Sequence, residues 1–169
     1  MRVESVHALF EALNRADVRY LVVGGLAVVA HNYVRYTADV DLVLALDPEN
    51  VKRAMATLEL LGYVPRVPVP ATDFADPVKR ESWIREKGMV VFQMFSTLHD
   101  RTPIDLFVSE PFDFQQEWQR AVWLPVLGST RVPVVSIEQL LAMKETTGRD
   151  KDQRDVEFLS KIVEGKSCE

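Results

Sequence analysis

The chain has 169 residues, of which 47% are hydrophobic and 27% charged, the balance of one globular domain with its own core. Its formal net charge of −5 argues against tight, non-specific nucleic-acid binding, although a local basic groove stays compatible with that total. The single cysteine excludes an intrachain disulfide, and no apolar run approaches the roughly 20 residues that cross a bilayer. The N-terminus lacks an apolar signal core, so the protein is expected to be cytoplasmic, with no membrane partner.

The first elements follow from the spacing of apolar residues. Intervals of three and four predict a helix over residues 3–16; the spaced residues are Val3, Val6, Phe10 and Leu13. The run RYLVVGG predicts a buried strand, and a short helix is expected over residues 25–34. TADVDLVLAL alternates, which predicts a strand with Val40, Leu42 and Leu44 in the core and Asp39, Asp41 and Val43 on the other face.

Capping residues delimit the next elements. Asp47-Pro48 opens a helix that Gly62 closes, because aspartate suits the cap and proline the first helical position. The proline-rich stretch 63–74 is expected to be extended or looped rather than regular. A helix over residues 77–87 should then end at Gly88.

The second half of the chain mixes strands and helices. MVVFQMFS and PIDLFVS predict two strands joined by a polar turn, and a short helix follows near residues 114–119. A hairpin should turn at Gly128-Ser129. Ser136 and Gln139 form a candidate capping box for a helix that stops at Gly148, and KDQRDVEFLSKIV predicts the last helix. The fold class is therefore α+β or mixed α/β, with a sheet that is partly antiparallel.

A glycine pair stands where the first strand meets its helix. Gly24-Gly25 would let the backbone approach a phosphate closely, and a helix N-terminus offers free N–H groups. Glycine pairs at strand ends also form simple turns, so the pair alone leaves both interpretations open. If it does seat a phosphate, Gly25 should tolerate no large side chain.

Three aspartates lie within apolar strands. Asp39 and Asp41 are two residues apart and project from the same face of their strand, close enough to share a divalent cation such as Mg²⁺. Asp105 lies between Ile104 and Leu106 in a later strand. If the two strands are neighbours, the three carboxylates converge, and two metal ions could clamp the attacking and leaving oxygens. The alternative is solvent-facing aspartates on an exposed sheet face.

These motifs resemble the DNA polymerase β-like nucleotidyltransferase superfamily. The resemblance rests on Gly24-Gly25, then Asp39-Val40-Asp41-Leu42, then Asp105, and covers roughly residues 18–160. It implies a mixed β-sheet flanked by helices, a nucleoside triphosphate as partner, and Mg²⁺ (with Mn²⁺ as an alternative) on the three aspartates. In that family the glycine pair lies beside the triphosphate, and the third acid helps to activate the attacking hydroxyl.

A second set of residues resembles small bacterial members, including abortive-infection type toxins. HNYVRYTADVDL places Arg35 and Thr37 ahead of the acids, and a lysine-bearing helix precedes an Arg-x-Lys-Asp turn with Lys144, Arg149, Lys151 and Asp152. The resemblance implies a nucleotide-binding set of Gly24, Gly25, Arg35, Thr37, Lys144 and Arg149. It also implies a nucleotidyltransferase core over residues 1–135 and a C-terminal helical segment over residues 136–165, packed on the same domain.

Several roles stay open at this point. Lys144 could neutralise phosphate oxygens or be a surface lysine at a helix C-terminus. Arg35 could contact phosphate or pair with Asp39 or Asp41. Arg149 and Lys151 could fold over the site or be solvated.

The expected activity is metal-dependent transfer of a nucleoside monophosphate from a triphosphate to a hydroxyl group. The acceptor could be an RNA end, a protein side chain or a small molecule, and the protein could be a toxin with an antitoxin partner. The alternative is a catalytically degenerate member that binds a nucleotide or a partner chain. The irregular stretch 64–80, with Arg66, Lys79 and Arg80, is expected to border the acceptor side of the cleft.

Overall fold

The computed structural model describes residues 1–148 and 150–166. Within these ranges the helices are α1 (Val3–Arg15), α2 (Gly24–Ala30), α3 (Pro48–Leu60), α4 (Pro77–Lys87), α5 (Phe114–Arg120), α6 (Ile137–Thr147) and α7 (Asp150–Lys166), with a 3-10 helix at Ala71–Ala75. The strands are β1 (Tyr20–Val23), β2 (Val40–Leu44), β3 (Tyr63–Pro65), β4 (Val91–Ser96), β5 (Ile104–Phe107), β6 (Val122–Pro125) and β7 (Arg131–Val134).

All these strands join one mixed sheet in the order β3-β4-β5-β2-β1-β7-β6. The β1–β2, β3–β4, β4–β5 and β6–β7 pairs are antiparallel, whereas β1–β7 and β2–β5 are parallel. Since β2 and β5 are far apart in the chain, only this strand order makes them neighbours. The expected mixed sheet with flanking helices is confirmed.

Two groups of helices pack around the sheet. Helix α2 lies against β1 and β2 and also contacts α6, which packs in turn on α7. The rings of Tyr33 and Phe158 stack with centroids 4.5 Å apart and so join the loop after α2 to α7. Helix α3 contacts α1, β3 and the 3-10 helix. All four residues of β1 are buried, so both faces of this central strand are covered.

The caps expected from the sequence are present. The Asp47 carboxylate accepts a hydrogen bond from the Asn50 N–H at 3.0 Å, with Pro48 in the first turn of α3. Ser136 Oγ accepts from the Gln139 N–H at 3.2 Å at the start of α6. These hydrogen bonds satisfy backbone donors that a helix N-terminus leaves free.

Three details differ from the sequence expectations. The proline-rich stretch contains strand β3, because an edge strand tolerates a residue without an N–H donor at its end, here Pro65. Val43 is 1% exposed rather than solvent-facing, since α2 covers that side of β2. Val3, expected on the buried face of α1, is 49% exposed at the first position of the helix.

No helix among the described residues combines the length and the apolar character that a membrane span requires.

Candidate active site

Two carboxylates, those of Asp41 and Asp105, lie side by side on one face of the sheet, and a third, that of Asp39, lies near them. Asp41 in β2 and Asp105 in β5 are register partners on adjacent parallel strands, which lie about 4.8 Å apart in any sheet. Partnered residues point to the same side of a sheet, so both carboxylates project from one face. The opposite face carries the buried residues Val40, Leu42, Ile104 and Leu106. Asp39 lies just before β2 begins and close enough to raise the pKa of both other acids.

The crowding of negative charge shows most strongly at Asp41. Burial, together with repulsion from Asp105 and Asp39, raises the pKa of Asp41 from its ordinary value of 3.8 to about 6. The Lys144 ammonium and a hydrogen bond from the Gly25 backbone N–H act in the opposite direction and lower it. A cation placed among the three carboxylates would relieve this repulsion.

Asp105 has a hydrogen-bond partner that the motif does not contain. Gln93 in β4, its register partner, donates from Nε2 to Asp105 Oδ1 at 2.8 Å. Burial, and to a smaller extent repulsion from Asp39, raise the pKa of Asp105. The Gln93 hydrogen bond and the Arg66 guanidinium lower it, and the net shift of the pKa is upward. The second carboxylate oxygen is not used by Gln93.

The glycine pair makes room for the side chains of the site. Gly24 has a φ of +65°, and a Cβ there would lie 2.0 Å from Asp41 Oδ2. A Cβ on Gly25 would lie 2.6 Å from Thr37 Oγ1 and 3.5 Å from the guanidinium carbon of Arg35. The space that the sequence analysis assigned to a phosphate is therefore shared with Asp41, Thr37 and Arg35. A large side chain at Gly25 would collide with Thr37.

Arg35 and Thr37 lie in the loop between α2 and β2. Arg35 forms an ion pair with Asp155 of α7 and so does not pair with Asp39 or Asp41, one of the alternatives open from the sequence. Thr37 Oγ1 donates to the Asp39 carbonyl oxygen at 3.3 Å, which ties this loop to the start of β2.

Lys144 is not a surface lysine. Its residue is 8% exposed, and its Nζ lies 2.8 Å from Asp152 Oδ1 and 3.0 Å from Asp155 Oδ2. It lies near enough to Asp41 to lower the pKa of that carboxyl. Arg149 and the side chain of Lys151 lie outside the described residues.

Gln93 and Asp155 belong to the site but not to the motifs recognised in the sequence. Gln93 is the one polar residue inside the β4 run VFQMF. A lone polar residue in an apolar strand that pairs with the strand of Asp105 indicates a hydrogen-bond partner for that aspartate. Asp155 lies three residues after Asp152 and therefore on the same face of α7, which the helical period alone indicates.

The basic residues of stretch 64–80 lie in different surroundings. The Arg66 guanidinium lies 5.9 Å from the centre of the Phe95 ring and lowers the pKa of Asp105. Lys79 is paired with Asp73 at 2.6 Å. Arg80, expected to border the cleft, is 6% exposed and donates to the Phe74 carbonyl oxygen, so this part of the expectation is wrong.

The donor set fits a hard divalent cation by its chemistry. Mg²⁺ prefers carboxylate oxygens, and the repulsion that raises the pKa of Asp41 and Asp105 is what a cation offsets. As the side chains stand, however, no three His, Cys, Asp or Glu residues within 1–148 and 150–166 form a ready set of ligands. The metal therefore stays a prediction.

This mixed sheet and its flanking helices are the fold of a polymerase β-like nucleotidyltransferase. A family model described as "Nucleotidyltransferase of unknown function (DUF6036)" matches residues 2–164. The chain belongs to that nucleotidyltransferase family. A comparison with curated proteins found no match.

Solved structures share the fold at low sequence identity. The antibiotic-resistance factor ANT(2'')-Ia in solution has a TM-score of 0.66 and 15% identity, over 95% of this chain and 83% of that one. Its crystal structure in complex with adenylyl-2''-tobramycin has a TM-score of 0.65 and 14% identity, over 95% and 88%. The lincosamide antibiotic adenylyltransferase LnuA, bound to lincomycin, has a TM-score of 0.57 and 14% identity, over 93% and 95%.

Proposed function

We propose that this nucleotidyltransferase moves a nucleoside monophosphate from a nucleoside triphosphate to a hydroxyl group of a small molecule. The observation that carries the proposal is the position of Asp41 and Asp105 side by side on one sheet face with Asp39 near them. Burial and repulsion from Asp105 and Asp39 raise the pKa of Asp41, and burial and repulsion from Asp39 raise that of Asp105. Such crowding costs free energy, and a functional site accounts for it better than a structural role does.

Each acid has a proposed task. Asp39, Asp41 and Asp105 would hold Mg²⁺ or Mn²⁺. The bound cation would offset the negative charge that builds on the α-phosphate and on the leaving pyrophosphate. The Gly25 N–H and the Lys144 ammonium keep Asp41 ionised enough to serve as a ligand.

Asp105 also suits the proton transfer. The acceptor oxygen bonds to the α-phosphorus while the bond from that phosphorus to the pyrophosphate oxygen breaks, and the hydroxyl proton passes to Asp105. Gln93 fixes the orientation of the Asp105 carboxylate through Oδ1, as a general base within reach of the hydroxyl requires. Its other oxygen is then the one that meets the hydroxyl.

Three observations support a small acceptor. Similar structures contain adenylyl-2''-tobramycin or lincomycin, both compact molecules with hydroxyl groups. On the Asp105 face of the sheet, Val64 is 48% and Phe95 37% exposed, which gives an apolar shelf of limited size beside the acids. The net charge of −5 disfavours a long nucleic-acid footprint.

The experiment is incubation of the purified protein with each labelled triphosphate and MgCl₂, against a panel of hydroxylated small molecules, total RNA and total cell protein. We expect one small-molecule class to gain the mass of a nucleoside monophosphate, with equimolar pyrophosphate. Asp39→Ala and Asp41→Ala should abolish both signals. Asp100→Ala should not, since Asp100 is an exposed acid paired with Arg2 at 3.2 Å.

Other outcomes contradict the proposal at defined points. Activity that survives Asp39→Ala and Asp41→Ala overturns the site. Label on RNA or on protein overturns the small acceptor and supports the toxin role. The toxin role and the cytoplasmic location both stay predictions. Triphosphate binding without turnover on any acceptor supports the degenerate alternative.

A further inference from the structure

A buried cluster of four charges joins the loop before β2 to the C-terminal helices. Lys144 of α6 contacts Asp152 at 2.8 Å and Asp155 at 3.0 Å. Asp155 also pairs with Arg35, which lies 120 residues earlier in the chain. Asp152 and Asp155 are each 1% exposed, and Thr147 Oγ1 donates to the second Asp152 oxygen at 2.6 Å. Two cations thus meet two anions in an environment from which water is largely excluded.

Stability alone accounts poorly for this cluster. Burying an ion pair removes hydration from both partners, and a well-packed apolar set is often as stable or more so. The α6–α7 contact could be made without charges, as Tyr33 and Phe158 make theirs by stacking.

The cluster borders the carboxylate site on one side. The Lys144 ammonium lowers the pKa of Asp41 across the space between α6 and β2. The Arg35 guanidinium carbon would lie 3.5 Å from a Cβ on Gly25, the residue whose N–H donates to Asp41. Arg35 therefore lies beside Gly25 and Lys144 lies near Asp41, and both border the space proposed for the triphosphate.

The Lys144 ammonium is held between two carboxylates. An ammonium has three N–H donors. Lys144 donates one of them to Asp152 at 2.8 Å, and its Nζ also lies 3.0 Å from Asp155 in an ion pair. Holding a flexible lysine between two carboxylates fixes the position of its ammonium, and this lowers the entropy that is lost when a ligand binds.

We propose that Asp152 and Asp155 are positioning residues for the triphosphate: they fix the Lys144 ammonium and the Arg35 guanidinium so that both cations meet phosphate oxygens. This inference rests on the proposed function. Asp152 and Asp155 do not touch the substrate. They act through Lys144 and Arg35.

The test combines triphosphate binding with kinetics on Asp155→Asn and Asp152→Asn. Affinity for a non-hydrolysable triphosphate analogue, measured by calorimetry with MgCl₂, should fall at least tenfold in each variant. The KM for the triphosphate should rise by a similar factor, and the KM for the acceptor should change less than twofold. A purely structural role would not separate the two substrates in this way.

Glu117→Gln is the matched control for loss of a buried carboxylate. Glu117 is 2% exposed, accepts from Ser136 Oγ at 2.7 Å and pairs with Arg120 at 3.0 Å. Its substitution should lower Tm by an amount similar to that in the α7 variants and leave triphosphate affinity within twofold of wild type. An Asp155→Glu variant, which keeps the charge, should recover part of the lost affinity.

Coupling to Lys144 decides between positioning and general destabilisation. In a Lys144→Met background, Asp152→Asn should cause less than a twofold further loss of affinity, because the ammonium that it positions is gone. If Asp155→Asn does not fold, Asp152→Asn and this double variant still give the answer. Unchanged affinity in Asp152→Asn, or full additivity with Lys144→Met, overturns the inference.

The outcomes also separate this inference from the proposed function. If the wild-type chain binds the analogue but transfers nothing, the proposed function fails while the binding comparison still tests the positioning role. If wild type transfers and the α7 variants bind normally, only the positioning role fails. A wild-type chain that binds no triphosphate overturns both.

Discussion

Burial and nearby carboxylates make the ionised form of Asp41 unfavourable in the folded protein. Its pKa in the folded protein is about 6, compared with 3.8 for an ordinary aspartate, so the folded state holds its proton more tightly than the unfolded state does. Folding stability therefore falls as the pH rises from about 4 to about 6 and stays reduced above that range. At neutral pH the carboxylate destabilises the fold in the absence of a cation.

Asp41→Asn should consequently stabilise the metal-free protein at pH 7. The shift corresponds to a gain of roughly 1–3 kcal/mol in the free energy of unfolding, since one pKa unit is worth about 1.4 kcal/mol. Urea unfolding at several pH values measures it: the gain should be full above pH 6 and vanish as the pH approaches 4. Saturating MgCl₂ should reduce the gain by stabilising only the wild type. A variant that is no more stable than wild type at pH 7 would contradict the strained carboxylate.

Gly24 offers a second prediction at the level of a single residue. Gly24→Ala adds a Cβ that would lie 2.0 Å from Asp41 Oδ2, in a backbone conformation with φ +65°. We expect a loss of at least tenfold in kcat/KM, because Asp41 must move, together with a stability loss above the approximately 1–2 kcal/mol typical of a left-handed alanine.

Gly88→Ala is the matched control for backbone strain. Gly88 has a φ of +58°, and nothing lies within 4 Å of its ideal Cβ. This variant should lose only the stability due to the left-handed conformation and keep its activity within twofold. Equal losses in the two glycine variants would show that strain, and not the collision with Asp41, is the cause.

Among the elements, β3 and β4 form the edge of the sheet beyond β5. They lie beside the acids, on the side away from the glycine pair at the end of β1. Strand β4 pairs with β5 and brings Gln93 opposite Asp105, and β3 in turn places Val64 opposite Phe95. Arg66 follows β3 directly and lies over Phe95. We propose that the acceptor approaches Asp105 from this edge.

Arg66→Glu should weaken use of the acceptor while triphosphate affinity stays unchanged. The charge reversal removes the guanidinium beside Asp105 and adds repulsion, so we expect the KM for the acceptor to rise five- to tenfold. Lys79→Glu should have a smaller effect because Lys79 is already paired with Asp73. Lys52→Glu, on the exposed side of α3, is the control and should change neither KM. Normal labelling of the acceptor by the Arg66 variant would place the acceptor elsewhere.

For the whole molecule, the division into a core over residues 1–135 and a C-terminal segment over residues 136–165 stays a proposal. The buried ion cluster and the Tyr33–Phe158 stack connect the segment to the loop before β2. Helix α6 also packs on α2. Such contacts argue for one cooperative unit.

We therefore expect a single unfolding transition for the entire chain. All three tryptophans, Trp83, Trp118 and Trp123, lie within residues 1–135, so their fluorescence reports that part of the chain, while far-UV circular dichroism also reports α6 and α7. The two signals should give the same Tm. A triphosphate with MgCl₂ at about 100 times its Kd should raise both by roughly 5–10 °C. Transitions that separate would show that the C-terminal helices unfold on their own.

The sequence by itself determined the local features. These features depend on residues that are neighbours in the chain, so the sequence alone indicates them. They include the helix bounds, the caps at Asp47 and Ser136 and the alternation that turns Asp39 and Asp41 away from the core. The motif order also predicted the nucleotidyltransferase family, which the family match confirms.

The tertiary structure decided which distant residues meet. Strand order placed β5 beside β2 and so brought Asp105 to Asp41, and the same sheet brought Gln93 to Asp105. Packing of α7 paired Asp155 with Arg35 and buried Lys144, although the sequence left open a surface position for Lys144 and a pairing of Arg35 with Asp39 or Asp41. The physical reason is that side-chain direction along a strand is local, whereas strand neighbours and buried ion pairs depend on how the whole chain excludes water.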